Sequence, residues 1–351
     1  MRCGRHGRRE RTHAARAADL PAGLTAPAAC DSLAAMSDDA VLAQPMSFTH
    51  KIRVTLGCAL AMALFGSLGW AIARPADPQD AMTMLGDGQA WPSVVVLALA
   101  LAAVSSAVAT AVAGTALQEA GTLATACGLA MMSLRGGTMT EVLMYHGATE
   151  SARRTLATRF AAESLLWFAV IAASWLVGIV VRKWLDKDAG DSPAVKPPGR
   201  WELLREAFLH VRDGILGLVV CAAVAWVFIA STIARTPFAA TEQGQVFFAV
   251  GVGFFLGAAV AQAIWVRSGV CWYAIGILLV AVLGYAWGFA QPVIGGGDRN
   301  QYYAKLATTP PNALFRALPI DYAGIGVVGI VLGQAFGRRM HYTHVAPRAG
   351  S

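Results

Sequence analysis

The sequence predicts an all-α, polytopic integral membrane helix bundle of about eight transmembrane helices, and three observations predict it. Of 351 residues, 56% are apolar and only 14% are charged, against roughly 25% charged in a soluble domain. The mean hydropathy of +0.53 would leave a soluble chain with more apolar surface than it could cover. The apolar residues are also gathered into runs of about 20, the length an α-helix needs to cross roughly 30 Å of hydrocarbon. The same numbers exclude a disordered chain. Six cysteines, widely scattered and without a Cys-x-x-Cys pair, exclude a small disulfide scaffold and give no support to a metal site.

Residues 1–46 differ from the rest. Arg2, Arg5, Arg8, Arg9, Arg11 and Arg16 crowd the start, and Ala, Pro and Asp follow without helical periodicity. This reads as a disordered basic tail, or as an extension ahead of a start at Met36 or Met46. An Arg-rich transit peptide is the other reading. A single transmembrane domain is expected over 47–341, followed by a disordered tail at 342–351.

Six runs qualify as spans: Val54–Ala73, Ser93–Ala113, Ala161–Val181, Gly214–Ala234, Val246–Val266 and Val270–Ala290. Asp321–Gly337 is shorter but almost wholly apolar, and Arg338-Arg339 stops it. Gly121–Leu134 is too short to span unaided, so seven spans plus a re-entrant segment is the alternative to eight. Loop charges favour eight. With both termini on the inner side, thirteen Lys and Arg residues fall inside and nine outside, leaving the six distal arginines apart. If Gly121–Leu134 does not cross, the balance becomes ten inside against twelve outside, contrary to the positive-inside rule. The net charge of +7 thus reads as topology, in a bacterial inner (plasma) membrane with both termini cytoplasmic, and no nucleic-acid partner is expected.

Trp91, Trp167, Trp184, Trp201, Trp272 and Trp287 lie near span ends, where an indole suits the headgroup layer. In the 182–212 loop, Trp201, Leu204, Phe208 and Val211 recur at helical spacing and predict a short interfacial helix. Small residues every four positions, Gly329, Gly333 and Gly337 in the last span, Ala103, Ala107 and Ala111 in the second, and Gly253 and Gly257 in the sixth, predict close helix packing.

Candidate chemistry is sparse. No Asp, Glu, Lys, Arg or His falls in the middle of a confident span, which speaks against a proton-coupled antiporter or a membrane-embedded carboxylate protease. Gln118 and Glu119 sit at the turn before Gly121–Leu134, and Glu119 would enter the membrane if that segment began earlier. Gln262 and Gln334 lie within spans and suit interhelical hydrogen bonds. Glu141, His146 and Glu150 in the 135–160 loop are the residue types of a metal or acid–base site. His341 and His344 form a weaker pair in the tail. A glycine run at 295–297 followed by Tyr302-Tyr303 could form a lid. Leu134-Arg135-x-Gly137 and Val266-Arg267-x-Gly269 hint at inverted repeats of spans two to four and five to seven.

No catalytic motif, cofactor or metal site is expected. The reading is a non-enzymatic multi-pass protein acting through lipid or protein contacts, with membrane lipids and a homo-oligomer or membrane-protein partner. The alternative is a small-solute permease with inverted repeats.

Overall fold

The fold follows from a computed structural model. It describes residues 47–75, 77, 80–85, 91–114, 117, 119–147, 149–187, 200–233, 242–265, 268–291 and 312–345, without the side chains of 186, 187, 200–204, 206 and 341–345. The basic tail, Gln118, Val266-Arg267, the glycine run and Tyr302-Tyr303 therefore lie outside the described residues.

The described residues form helices and no strand. They are α1 (Phe48–Ala73), α2 (Trp91–Ala113), α3 (Ala120–Ser133), α4 (Met139–His146), α5 (Glu150–Lys187), α6 (Arg200–Thr232), α7 (Gln243–Ile264) and α8 (Val270–Ala290). The last, α9, begins as Pro319–Asp321, passes through a π-helical segment Tyr322–Gly326 and continues over Val327–Val345. A second π-helical segment, Phe65–Gly69, interrupts α1. All but α3 and α4 are long and apolar enough to cross a membrane. The protein is an all-α polytopic helix bundle.

Helix directions give the number of passes. Ser106 of α2 donates to the Ser174 carbonyl of α5 at 2.6 Å, and Gly178 of α5 lies against Thr110 of α2, so α2 and α5 are parallel. Between two parallel helices the chain must return, and α3 is the return. Thr125 of α3 meets Ser105 of α2 at 3.2 Å, while Gly121 packs on Ser106 and Thr110, so α3 is antiparallel to α2. At about 1.5 Å per residue its 14 residues cover about 21 Å, less than the hydrocarbon thickness. Twelve of them are buried, so protein rather than lipid surrounds this pass. The described helices thus run through the bundle eight times, seven of them long and apolar enough to cross a membrane and one short and enclosed.

α6 runs against α7 (Gly253 on the Ala225 carbonyl, Gly257 on that of Cys221) and with α8 (Gly276 on the Leu218 carbonyl). The start of α1 and the end of α9 consequently share one side, here the terminal face; the opposite side is the loop face. Gly329, Gly333 and Gly337 of α9 press on the carbonyls of Gly251, Phe255 and Ala259 of α7. The four-residue glycine repeat therefore makes an intramolecular contact between two parallel helices, where any Cβ would meet backbone.

Several expectations need correction. The 135–160 loop is mostly helix: Thr138 and Glu141 close a capping box on α4, and α5 begins at Glu150. The short interfacial helix is instead the first part of a continuous 33-residue α6, because Gly214 seats the Trp272 indole and does not break the helix. α9 continues to Val345, so the last helix overlaps the tail expected from 342. The small-residue stripe of α2 that packs inward is Ala98, Ala102, Ala109 and Ala113, one register away from Ala103, Ala107 and Ala111. Trp167 is fully buried and serves no headgroup layer.

Candidate functional site

The enclosed helix α3 positions the site. Counted at helical spacing, Glu119, Thr122, Thr125, Leu129 and Ser133 share one stripe. All five are buried, so the chain carries a file of polar groups through the protein and not along its lipid surface. Near the terminal end, Ser105, Ser106, Thr110, Thr125 and Ser174 gather hydroxyls between α2, α3 and α5; the buried Thr110 Oγ1 has no hydrogen-bond partner among the described residues. An apolar layer interrupts the file above them. There Phe65, in the π segment of α1, fills the space beside Gly128.

Both π segments abut the other half of α3. Gly66 and Gly69 of α1 face Met131 and Met132, and Gly324 of α9 approaches the backbone of Leu129 and Ala130. A π turn displaces a carbonyl from the α ladder. The Gly66 carbonyl accepts a hydrogen bond from Arg135 Nη1, whose guanidinium lies 5.6 Å from the Trp70 ring centroid, within cation–π reach.

At the loop-face end of α3, Ser133 donates to the Asp321 carboxylate. Asp321 also caps α9 by accepting the Leu318 N–H at 2.8 Å. The Gln243 amide donates to the Ser133 carbonyl at 2.8 Å, joining α3, α7 and α9. Beside them Glu163 of α5 is 0% exposed. Its Oε1 accepts the Met84 N–H and the Trp167 indole N–H, both at 2.9 Å. The Leu85 amide lies nearby, but Oε2 makes no hydrogen bond among the described residues.

Two chain segments fold over this end: Ala81–Met84 before α2, and Asn312–Leu318 before α9. The second is fixed by Tyr285 donating to the Ala317 carbonyl and Tyr322 to that of Leu314, within a cluster of Phe160, Tyr285, Phe315 and Tyr322 rings. Arg316 of the same segment is buried, and desolvation lowers its guanidinium pKa from the ordinary value.

At the terminal face, Gln262 and Gln334 enter one network. Tyr273 donates to Gln262 Oε1 at 2.9 Å and meets Ser268 Oγ at 2.6 Å, and Gln334 donates to the Ser268 carbonyl at 3.0 Å. Glu119 lies 3.8 Å from Arg338. These contacts join α7, α8 and α9 at one point and α3 to α9 at another.

The weak loop candidates Glu141, His146 and Glu150 do not come together. Glu141 is taken up by its own capping box, His146 pairs with Asp80 at 3.1 Å, and Glu150 with Arg154 at 2.6 Å. Among the described residues no three His, Cys, Asp or Glu side chains converge on a metal position. His341 and His344 lie on the last turns of α9, with side chains outside the described set.

The sequence reading missed Glu163 and Asp321. Glu163 lies near the start of the run 161–181 and Asp321 opens the last run, and neither was singled out. The available signal was a carboxylate already inside the run at the loop-face end, where the nearest residue on the preceding chain is apolar. Comparison with protein-family models, curated proteins and solved structures finds no match for this chain.

Proposed function

We propose that the protein is a small-solute permease, and that its solute path follows α3. One observation carries the reading: a helix too short for lipid, enclosed by protein, bears a polar stripe from Glu119 at one face to Ser133, Asp321 and Gln243 at the other. Ionisable groups inside membrane helices are costly and usually mark solute or ion paths, and Glu163 and Asp321 are both buried in such helices. Broken or shortened helices at the centre of a bundle are typical of transporters. The triplets α2–α3–α5 and α6–α7–α8 run in opposite senses, and each packs its first and third helices in parallel, which supports the inverted-repeat arrangement.

On this reading the conformer is closed, with Phe65 and Leu129 as the apolar barrier and the π segments as hinges. The solute is small and polar, and the protein is a carrier and not an enzyme. The terminal face would be cytoplasmic, since it holds the excess of Lys and Arg, in a bacterial inner membrane.

The test is flux into proteoliposomes across a panel of small cationic, anionic and neutral polar solutes. Wild-type protein should move at least one class, Phe65→Ala should speed its movement, and Glu163→Gln should slow it. No flux of any class by folded protein would remove the reading.

A second reading, action through lipid or protein contacts, is favoured by one feature. Two apolar clefts of about 390 and 480 Å³ flank α8 on the bundle's outer surface. A homo-oligomer or a membrane-protein partner would cover such clefts, and purification in mild detergent as a monomer free of lipid would count against it.

A further inference from the structure

The 390 Å³ cleft lies between α5 and α8 and is lined by Phe168, Ala172 and Trp175 on one side and by Val270, Ala274 and Leu278 on the other, with Thr122 of α3 at its floor. It opens sideways at the depth of the spans, so hydrocarbon is its medium. Its end at Trp175 and Val270 points to the terminal face, because α5 ends there and α8 begins there.

Seven residues beyond Trp175, on the same side of α5, stands Arg182. At about 1.5 Å per residue this is about 10 Å further along the helix, past the hydrocarbon and at headgroup depth. Its Nε and Nη2 atoms are covered by neighbouring atoms yet have no hydrogen-bond partner among the described residues. A buried donor left unmade is costly, and more so on a charged group. The acidic side chain at this face of α3, Glu119, already faces Arg338. Lys183 and Trp184 follow on the exposed side, with Trp184 66% exposed, as suits a headgroup-level indole. The apolar lining on α5 stops at Trp175 and the unsatisfied guanidinium follows two turns on, so the two chemistries of one ligand are set along one side of α5.

We infer that the α5–α8 cleft is a binding site for an anionic phospholipid, with an acyl chain between Phe168, Trp175 and Ala274 and the headgroup phosphate on Arg182. Once the atoms that now cover Nε and Nη2 move aside, the planar guanidinium offers two donors to phosphate oxygens, and basic sites between helices on the cytoplasmic side are where anionic headgroups bind. The site shares only Thr122 with the α3 stripe and stands whether or not the protein moves a solute.

Native mass spectrometry of the full chain in mild detergent tests it, with phosphatidylglycerol, phosphatidylcholine and inorganic phosphate as probes. Wild-type protein should retain phosphatidylglycerol in preference to phosphatidylcholine. Arg182→Gln should weaken that binding about tenfold, and Arg182→Lys should restore part of it. Ala172→Trp, which fills the open cleft and leaves Arg182 in place, should weaken it by a similar factor with unfolding temperature unchanged. Equal retention of the two lipids, or no loss in Arg182→Gln, would overturn the site. Competition by inorganic phosphate as strong as by the lipid would also overturn it, leaving an anion site that needs no acyl chain.

Discussion

The α7–α9 contact and the surroundings of α3 are both built on small residues, yet they solve opposite problems. Along α7 and α9, glycine every four residues brings two regular helices backbone to backbone over three successive turns. In lipid, where no hydrophobic drive joins helices, such close packing is the available source of attraction. Around α3 the neighbours are not regular: α1 and α9 both switch to π turns beside it, and the contact includes two buried carboxylates and several hydroxyls. One contact fixes the bundle. The other concentrates polar groups and irregular backbone in one place, which is where a change of shape costs least.

The largest expected effect tests the fixed contact. In Gly333→Ala the new Cβ falls on the Phe255 carbonyl, with backbone on both sides and no side chain able to give way. Overpacking of this kind should cost about 1–3 kcal/mol, seen as a lowered unfolding temperature in detergent. Gly244→Ala, at the start of α7 with nothing within 4 Å of the added Cβ, should be neutral or slightly stabilising through helix propensity. Equal effects at the two positions would show that the glycine face is not what holds α7 to α9.

Glu163 tests the polar side of the comparison. Glu163→Ala removes the acceptor of the Met84 and Trp167 N–H groups and leaves both buried donors unmade, at about 1–3 kcal/mol. Glu163→Gln keeps the acceptor oxygen for both N–H groups but sets its amide where no acceptor faces Oε2, so it should cost less stability than Glu163→Ala while flux falls. A Glu163→Gln protein as unstable as Glu163→Ala would mean that the carboxylate is structural, and the loop-face cluster would then resemble the α7–α9 contact in purpose.

The regular contact was legible in the sequence because it has a period. Gly329, Gly333 and Gly337 announce themselves by spacing, as do the apolar runs, and loop charge alone argued for a pass at Gly121–Leu134 that length argued against. What remained hidden has no period. A π turn inserts one residue into a ladder without any composition signal, so neither Phe65–Gly69 nor Tyr322–Gly326 could be read. Glu163 and Asp321 are single carboxylates at run ends, and whether such a residue faces water or protein depends on chain segments distant in sequence, Met84 for one and Ser133 for the other. Conversely Glu141, His146 and Glu150 lie close in sequence, yet each finds a nearer partner elsewhere, so proximity along the chain was misleading.

Arg135 is the next smaller probe, since it ties the π segment of α1 to the end of α3. Arg135→Gln loses the bond to the Gly66 carbonyl and the stacking on Trp70. Because the side chain is partly exposed, the cost should be about 1 kcal/mol. Its sharper consequence is dynamic: amide exchange over 65–69 should accelerate while exchange over 329–337 stays as in the wild type. Acceleration spread equally over both segments would dissolve the distinction between a fixed and a yielding contact.

The smallest effect belongs to the terminal end of α3. Glu119 and Arg338 are 3.8 Å apart, with 9% and 24% of their side chains exposed, a separation at which the pair makes no direct hydrogen bond. An ion pair so placed is weakened by water at one side and should couple by no more than about 1 kcal/mol. A double-mutant cycle of Glu119→Gln and Arg338→Gln, read by unfolding at low and high salt, measures that coupling directly. A small, salt-sensitive value keeps the terminal end of α3 as a solvated latch, the weaker of its two ends. A larger, salt-independent value would make the two ends of α3 equally held, and hinging at the π segments would then have to open both together.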